Sequence, residues 1–393
     1  MTSRIYYTDP YCQTFDAHVV RAFDHEGRPA AVLDRTAFYP TSGGQPYDVG
    51  VLDGTSVVDV VDEDGDVVHV LSSPLPEGAA VHGQIDWTRR FDHMQQHTGQ
   101  HILSAALVRV CHAPTVSFHL GSDTSTIDVS AVVTPADVER AVDEANRIVW
   151  EDREVAIRFA SGDEARALPL RKEPARQGEL RLVEVPDFDL SACGGTHVAR
   201  TGAIGVIAVT AAEKFKGGLR LTFVCGGRAL RSLRQLRDAV AGSVRVLSVL
   251  PPELPSAVEK LQAEGKSLRK TLSGLQAALA VHEADRLLAA HPGDGRRVVS
   301  EIYEDWDAVG LKTIASSLIA RDPVAVALVT GGTAATVVVA CAPSLGLDAG
   351  AVVKQLTDRF GGRGGGRPDM AQAGGLSGHT AEIAAAARAL LER

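Results

Sequence analysis

The sequence predicts an α+β multidomain protein with a small N-terminal β-barrel, a central α+β domain, a helical connector and a C-terminal α/β domain. Three observations lead to this prediction. The 393 residues are too many for one ordinary hydrophobic core. The N-terminal part contains valine-rich runs separated by Asp-Gly and Pro turns, which are typical of consecutive strands. The C-terminal part alternates between strand and helix patterns. We place the domains at residues 1–85, 86–245, 246–291 and 292–393.

The composition is that of an ordinary globular protein, with 45% hydrophobic and 23% charged residues. The sequence has no apolar run of the roughly 18 residues that a membrane helix needs, and its start lacks the apolar segment of a signal peptide, so the expected compartment is the cytoplasm. The five cysteines are odd in number, which argues against a disulfide framework. A formal net charge of −9 points away from nucleic acid, although a whole-chain sum can hide a basic face.

The first two domains differ in their hydrophobic period. The strand-like runs of residues 1–85 suggest a small barrel or sandwich. From Asp86 onward, apolar residues recur at helical spacing through "TRRFDHMQQHTGQHILSAALVRV". A second helix is predicted to start at Thr134, which is a plausible N-cap, with Pro135 in the first helical position and Asp137 in the first turn.

A long helix is predicted over residues 253–290. Five leucines follow a spacing of three and four residues that is compatible with a coiled-coil seam; they are Leu261, Leu268, Leu272, Leu275 and Leu279. Gly265 and Gly274 interrupt the pattern, so an amphipathic connector packed on its own chain is an equal alternative. The following α/β domain contains the most glycine-rich stretch of the protein, residues 361–375.

Two short strings carry the residues of a candidate metal site. His97 and His101 lie four positions apart on the predicted helix, so both imidazoles can face one ion. Much further along, Cys193 and His197 share the same spacing in "CGGTH", where two glycines disfavour a helix and allow a tight turn. Three imidazoles and one thiolate suit Zn²⁺, and we expect one ion per chain.

The ligand count leaves the role of that ion open. Four protein ligands are typical of a structural zinc, whereas a catalytic zinc keeps one position for water. A catalytic site therefore needs either one adjustable ligand, for which His197 is the candidate, or a fifth position that opens to water. His93 and His112 lie near the helical pair without matching its spacing, and we expect both to be surface histidines.

Five stretches, taken together, resemble a known family. "HTGQHILSAAL" and the later "CGGTHVARTGAIG" resemble the editing domain of alanyl-tRNA synthetases and the free-standing alanyl-tRNA editing proteins called AlaX. "TSGGQPYDVG" resembles the glycine-rich motif of their N-terminal barrel, and "KFKGGLRLTFVCGGRAL" the strand and turn after the cysteine motif. "GGRGGGRPDMAQAGG" resembles their C-terminal domain, DHHA1. The stretches occur in the family's order and cover nearly the whole chain.

The resemblance implies a function for each domain. Residues 86–245 would form a zinc-dependent editing domain, and residues 292–393 a DHHA1-like tRNA-binding domain. The aminoacylation domain that precedes the editing domain in the synthetases has no counterpart in this sequence, so the chain resembles the longer AlaX type and is not expected to activate alanine.

The implied activity is hydrolysis of mischarged tRNA(Ala), with Ser-tRNA(Ala) as the main substrate and Gly-tRNA(Ala) as a second one. Zinc would lower the pKa of a bound water and polarise the ester carbonyl. A non-catalytic tRNA-binding protein with a structural zinc is the alternative, and editing of another tRNA is a third option. The oligomeric state is left open, and a dimer through the connector or the C-terminal domain is one option.

The resemblance also implies roles for residues of the glycine-rich loop. A threonine of this loop reads the serine hydroxyl in the family, and Thr41 is the matching residue here. Ser42 stands where the family usually has glycine, so either Thr41 or Ser42 could make the contact. Gln45 matches a family glutamine near the editing site, and we assign Thr41 and Gln45 as catalytic. Without the resemblance, these residues would suggest ordinary turn chemistry.

Contacts with RNA must come from local basic clusters. The candidates that we assign are Lys214, Lys216, Arg220, Arg363 and Arg367. A second basic segment adds Arg171, Lys172, Arg176 and Arg181. Charge runs are more often simply solvated, and the glycines around Arg363 and Arg367 are also compatible with a tight structural turn.

Overall fold

The protein is described by a computed structural model that covers residues 1–172, 178–293, 296–331 and 334–393. The chain divides into two compact units, Met1–Gly242 and Ser243–Arg393. The four-domain division stays a prediction within this two-unit arrangement. Within the described ranges, no helix combines the length and apolar character needed to cross a membrane.

The N-terminal part of the first unit is built from strands that pair in an antiparallel way, except for one short parallel pair, Ser3–Arg4 with Arg35–Thr36. The strands are β1 (Ser3–Arg4), β2 (Thr14–His25), β3 (Arg28–Leu33), β4 (Arg35–Thr36), β5 (Gly50–Leu52), β6 (Thr55–Glu63), β7 (Asp66–Leu71) and β8 (Ala80–Ile85). Six of them close into a barrel in the order β2-β3-β7-β6-β5-β8. Alternate residues such as Phe15, Ala17 and Val19 fill the interior. The Asp64-Gly65 turn has positive φ at both positions, as a tight hairpin requires.

The rest of the first unit surrounds one central helix, α1 (Trp87–Cys111). Asp86 caps its first turn by accepting a hydrogen bond from the Arg89 amide, and helix residues on several faces are buried. The elements that follow are β9 (Thr115–Leu120), β10 (Ser125–Val129), α2 (Pro135–Trp150), β11 (Ala156–Ala160), α3 (Gly162–Arg166), β12 (Leu180–Val185), β13 (Asp189–Ala192), β14 (Ile207–Phe215), β15 (Gly218–Cys225) and α4 (Gly226–Leu247). They form a four-stranded sheet, β14-β15-β10-β9, and a three-stranded sheet, β11-β12-β13.

The predicted start of α2 is confirmed. Thr134 accepts a hydrogen bond from the Asp137 amide, the Asp137 side chain accepts one from the Thr134 amide, and Pro135 occupies the first helical position. The prediction for His93 is wrong, because α1 is central and buries this residue. His112 is exposed, as predicted, and ends the helix with a left-handed backbone.

The second unit is an α/β sandwich around a five-stranded sheet. Its elements are α5 (Leu254–Ala290), β16 (Arg297–Tyr303), α6 (Ala308–Ile319), β17 (Val324–Thr330), β18 (Ala335–Cys341), α7 (Ala349–Phe360), β19 (Arg363–Gly366), β20 (Met370–Leu376) and α8 (Thr380–Leu391). The strand order is β16-β17-β18-β20-β19, in which β16 and β17 are parallel and the other pairs antiparallel. Residues from α5 and α6 bury one face of the sheet, and residues from α7 and α8 bury the other.

The long predicted helix forms as α5, without interruption at its glycines. Ala280, Ala284 and Leu287 near its end are buried. The five leucines of the predicted seam are 56–70% exposed. The connector therefore packs on its own chain through its C-terminal end and not through these leucines, and the coiled-coil seam stays a prediction.

The glycine-rich stretch forms the edge hairpin β19–β20. A Cβ atom added to Gly364 would lie 2.5 Å from the Cβ of Ala373, so strand pairing itself requires glycine at this position. Arg363 and Arg367 are exposed, and the Arg367 guanidinium lies 3.3 Å from the Asp369 carboxylate. The structural interpretation of the glycines is therefore sufficient, and the RNA contacts of both arginines stay predictions.

Candidate metal centre

The helical histidine pair lies inside the protein. His97 and His101 are buried on α1, and their ring centroids are 5.4 Å apart. The ring of His197 lies 4.6 Å from that of His97 and 4.7 Å from that of His101. The spacing of four residues therefore presents both imidazoles to one point, as the sequence predicted.

The "CGGTH" string forms a loop directly after β13 and brings Cys193 and His197 to the helical pair. The Cys193 Sγ atom lies 3.4 Å from Nε2 of His97 and 3.4 Å from Nε2 of His197. Gly195 is required here, because a Cβ atom at this position would lie 2.2 Å from Cε1 of His97. The loop can reach the helix only where it has no side chain.

The four side chains fit a zinc ion. One ligand atom from each lies within 4.8 Å of all the others. A tetrahedral site with zinc bonds of about 2.0–2.3 Å places its ligand atoms roughly 3.5 Å apart, close to the measured sulfur–nitrogen distances. Three nitrogens and one sulfur are a donor set that zinc prefers.

Each imidazole is oriented by a hydrogen bond on the ring edge that faces away from Cys193. Nδ1 of His97 lies 2.8 Å from Oε1 of Gln45, Nδ1 of His101 lies 3.1 Å from Oδ2 of Asp189, and Nδ1 of His197 lies 3.2 Å from Oγ1 of Thr98. These acceptors favour a proton on Nδ1 of each ring, so that Nε2 is the nitrogen left to bind a cation.

The charge states of the cluster follow from burial and from its neighbours. Burial lowers the pKa of His197 to about 3, against the attraction of Cys193. For His101, burial is outweighed by hydrogen bonds to Asp189 and Cys193, which raise its pKa to about 9. Burial raises the pKa of the Cys193 thiol, but the neighbouring imidazoles of His97, His197 and His101 outweigh it and hold this pKa well below its usual range. A lowered pKa favours the thiolate, which is the form of cysteine that binds a cation.

Arg181 and Arg171 support the cluster from behind. Sequence reasoning grouped both with phosphate contacts, but Arg181 is buried and donates to the carbonyl oxygens of Cys193 and Gly195 at 2.7 and 3.0 Å. Arg171 donates to the Asp189 carboxylate at 2.6 Å. For Arg181 the phosphate contact stays a prediction that burial does not favour: Nη1 holds the ligand loop, Nε donates to the Tyr7 carbonyl, and the buried Nη2 atom has no hydrogen-bond partner among the described residues. Arg176 lies outside the described residues.

A cavity of about 630 Å³ lies beside the cluster in the first unit. His101 and Cys193 are part of its wall, together with Gln100 and with Ser42 and Gly43 of the glycine-rich loop. The cluster is therefore closed on its far side and faces open space on the His101–Cys193 side.

In the glycine-rich loop, the structure places Gln45 differently from the catalytic role that was expected for it. Gln45 is fully buried; its Oε1 atom accepts from His97 and from the Thr196 amide at 3.1 Å, and its Nε2 atom donates to Thr196 Oγ1 at 2.8 Å. A role in direct contact with substrate is therefore not supported, and Gln45 is a positioning residue. The exposed Thr41 accepts a hydrogen bond from the Tyr47 amide at 3.2 Å. Among the described residues that line the cavity, Ser42 is present and Thr41 is not.

The predicted RNA contacts of the first unit lie on one hairpin. Lys214 and Lys216 are exposed at the β14–β15 turn. Arg220 forms a bidentate ion pair with Asp128, with distances of 2.7 and 2.9 Å, and its guanidinium lies 3.7 Å from the Phe215 ring centroid. The Lys216 ammonium lies 5.1 Å from the Phe215 ring centroid. Both lysines are exposed, so they can meet phosphate, whereas Arg220 already has a structural role.

Sequence reasoning missed Thr98 and Asp189 as positioning residues. Thr98 directly follows His97 in the helix, and Asp189 lies four residues before Cys193, at the start of a largely buried strand. A carboxylate in such a strand, so close to a ligand string, was the available signal.

Family comparisons match three parts of the chain. The family of class II (A) tRNA synthetases matches residues 11–89, the second additional domain of threonyl and alanyl tRNA synthetases matches residues 180–221, and the DHHA1 domain matches residues 294–393. The prediction of a mixed α/β multidomain protein with a C-terminal DHHA1 domain is confirmed.

Individual relatives cover nearly all of the chain. The alanyl-tRNA editing protein AlaX-L of Pyrococcus horikoshii is 31% identical over 382 residues, which are 95% of this chain and 94% of that protein. Alanine–tRNA ligase of Pyrococcus abyssi is 35% identical over 389 residues, and that of Halobacterium salinarum 37% identical over 396 residues. This chain spans 42% of the length of either ligase.

The class that the fold and the cluster define is that of proteins related to alanyl-tRNA synthetase that combine a second additional domain with a DHHA1 domain. Within that class, the chain belongs to the family of the alanyl-tRNA editing protein AlaX-L.

Proposed function

We propose that this protein is a trans-editing hydrolase that removes the amino acid from mischarged tRNA(Ala). Its main substrate would be Ser-tRNA(Ala), and Gly-tRNA(Ala) would be the second one. The observation that carries this proposal is the convergence of His97, His101, Cys193 and His197 beside a cavity into which His101 and Cys193 open. A cluster without a cavity would suggest a purely structural ion.

The need for such an activity follows from the size of the competing amino acids. A pocket built for alanine rejects serine poorly, because one added hydroxyl is hard to exclude by shape alone. A second site that hydrolyses the wrong ester then restores accuracy. Membership in the AlaX-L family supports tRNA(Ala) as the carrier.

The residues present account for positioning of the reaction. Zinc held by these donors would supply Lewis acidity to the ester carbonyl and to an attacking water. Gln45, Asp189 and Thr98 hold the three imidazoles in the required tautomer, and Arg181 holds the loop that carries Cys193. Ser42, at the cavity wall, is better placed than Thr41 to read a substrate hydroxyl.

RNA contacts are assigned to both units. Lys214 and Lys216 are exposed on a hairpin of the first unit, and Arg363 and Arg367 are exposed on the edge hairpin of the DHHA1 domain. All four are exposed, and Arg367 also faces the Asp369 carboxylate; charged side chains recognise phosphate without regard to sequence.

A non-catalytic tRNA-binding protein with a structural zinc is the alternative. The observation in its favour is the number of protein donors, since four are typical of a closed structural site. The two proposals differ in turnover and agree on zinc binding.

One experiment separates these two functions. Purified protein is mixed with Ser-tRNA(Ala), released serine is followed over time, and zinc content is measured in parallel. The wild type should bind one zinc and release serine, and Cys193→Ala should lose both properties. Cys12→Ala, which alters a half-buried thiol outside the cluster, is the matched control and should keep them. A wild type that binds zinc and tRNA without releasing serine would support the alternative.

A further inference from the structure

The wall of the cavity carries more positive than negative charge, although the whole chain is acidic. Four Arg and Lys side chains and two carboxylates belong to it: Arg4, Arg171, Lys172, Arg181, Asp62 and Glu179. The formal net charge of the chain is −9. A local excess of positive charge in an acidic protein favours an anionic ligand at this place.

Among these cations, Lys172 differs from the three arginines. Arg4 is paired with Asp62 at 2.7 Å, Arg171 is paired with Asp189, and Arg181 donates to carbonyl oxygens of the ligand loop. Lys172 is exposed, and within the described part of the chain no hydrogen bond or ion pair holds its ammonium group. Among the four wall cations, Lys172 is thus exposed and available to a ligand, whereas Arg181 is buried.

Phe159 lines the same cavity from strand β11 and is 43% exposed. It pairs directly with Arg181 of the neighbouring strand, the residue that holds the Cys193 loop. Because paired residues of antiparallel strands share one face of the sheet, Phe159 stands on the same face as that clamp. An aromatic ring is thus presented to solvent beside the entrance to the metal centre.

The cavity is also larger than an amino acid requires. Its volume of about 630 Å³ lies within the range of roughly 300–1,000 Å³ that accommodates ligands of several rings. If an aminoacyl ester reaches His101 and Cys193, the nucleotides attached to it must leave past the wall. Unpaired nucleotides are bound in general by aromatic rings that stack on bases and by cations that meet phosphates.

We propose that Phe159 and Lys172 form a binding site for the unpaired 3′ end of the RNA, in which Phe159 stacks on a base and Lys172 contacts a phosphate. The inference rests on the proposed hydrolysis of an aminoacyl ester on RNA. It assigns the two residues to substrate binding and leaves the reacting atoms to the cluster.

Steady-state kinetics with Ser-tRNA(Ala) test the assignment. Stacking of one base contributes roughly 5- to 150-fold in affinity, so Phe159→Ala should raise KM about tenfold or more with kcat nearly unchanged. Phe159→Trp keeps an aromatic ring at this position and should have a KM close to that of the wild type. Lys172→Ala should raise KM. It should also reduce the slope of log KM against log salt concentration by about one, because one fewer counterion is released on binding. Trp150→Ala, which removes a 73% exposed aromatic ring at the end of α2, is the matched control and should change neither constant.

A binding measurement separates failure of this inference from failure of the proposed function. The Phe159→Trp variant should fluoresce more than the wild type. An oligoribonucleotide that ends in CCA and carries no amino acid should quench this added fluorescence, and the same CCA end held in a duplex should not. Quenching without ester hydrolysis would support the binding site and refute the proposed hydrolase. Ester hydrolysis with an unchanged KM in Phe159→Ala, or absence of quenching, would refute the binding site.

Discussion

The imidazole of His97 lies between Gln45 and the bare backbone of Gly195, and both neighbours restrict it. Gln45 accepts a hydrogen bond from Nδ1 of His97 and thereby sets the tautomer of the ring. Gly195 leaves the space that the ring occupies. The glutamine was expected to be catalytic, yet its burial gives it a positioning role. At the scale of single residues, the residue type indicates that a polar group is needed at a position. It does not indicate which neighbouring atom that group binds.

Gly195→Ala should abolish stoichiometric zinc binding, because the new methyl group would overlap the His97 ring. Gly194→Ala is the matched control, since the nearest atom to its Cβ is the Tyr7 hydroxyl at 3.7 Å, an ordinary contact. Zinc content of both purified variants can be measured by metal analysis. Full zinc in Gly195→Ala would show that the loop does not depend on this glycine.

Thr98→Val should weaken zinc binding by about 10- to 100-fold, because it removes the acceptor that orients His197. Thr98→Ser keeps the hydroxyl and should retain wild-type affinity. Competition with a chelator of known affinity measures the difference. Equal affinities of the two variants would mean that the Thr98 hydroxyl does not orient the ligand.

At the scale of single elements, α5 shows where helix propensity and packing act separately. Gly265 and Gly274 lie inside the helix with open space around them, and the leucines between them are exposed. The helix is continuous because the other residues favour it, and packing contributes mainly through Ala280, Ala284 and Leu287 near its end.

Gly265→Ala and Gly274→Ala should each stabilise the protein by about 1 kcal/mol, since alanine costs less backbone entropy in a helix and meets no neighbour here. Denaturant unfolding measures the change in free energy. Gly310→Ala in α6 should have the opposite effect, because its Cβ would lie 2.4 Å from the Trp306 ring. Loss of stability in either α5 variant would show that these positions are packed in solution.

At the scale of the whole molecule, burial of neutral histidines links folding to pH. His69 is buried in the barrel, with Nε2 at 2.8 Å from Thr36 Oγ1, and burial lowers its pKa to about 4. Burial also lowers the pKa of His93 to about 3. Both histidines must remain uncharged in the folded chain and can be protonated freely once it unfolds.

The free energy of unfolding should therefore fall as pH decreases from about 6.5 to about 4, because the unfolded chain binds more protons in this window. The difference for His69 alone corresponds to about 3 kcal/mol. His69→Gln should show a smaller fall over the same window, whereas substitution of the exposed His112 should leave it unchanged. Urea unfolding at several pH values measures the slope, and a flat profile in the wild type would contradict the prediction.

Much of the architecture was predictable because its causes are local. Asp-Gly turns define hairpins of the barrel, Thr134 and Asp137 cap α2, and a continuous helical pattern extends through α5. The division into two compact units was not predictable, since it depends on which distant surfaces pack together. The burial of His93 was missed for the same reason: nothing local shows that α1 lies at the centre of its unit.

The sequence by itself identified the four candidate metal ligands, the glycines between Cys193 and Thr196, and the family to which these strings belong. These features depend on residue type and short spacing, which are written directly in the chain. Only the tertiary structure decided that Thr98 and Asp189 orient imidazoles, that Arg181 holds the loop, and that Ser42 faces the cavity. Each of these features is a contact between atoms that folding brings together from distant parts of the chain. Neither the composition nor the hydrophobic periodicity of a sequence reports the geometry of such a contact.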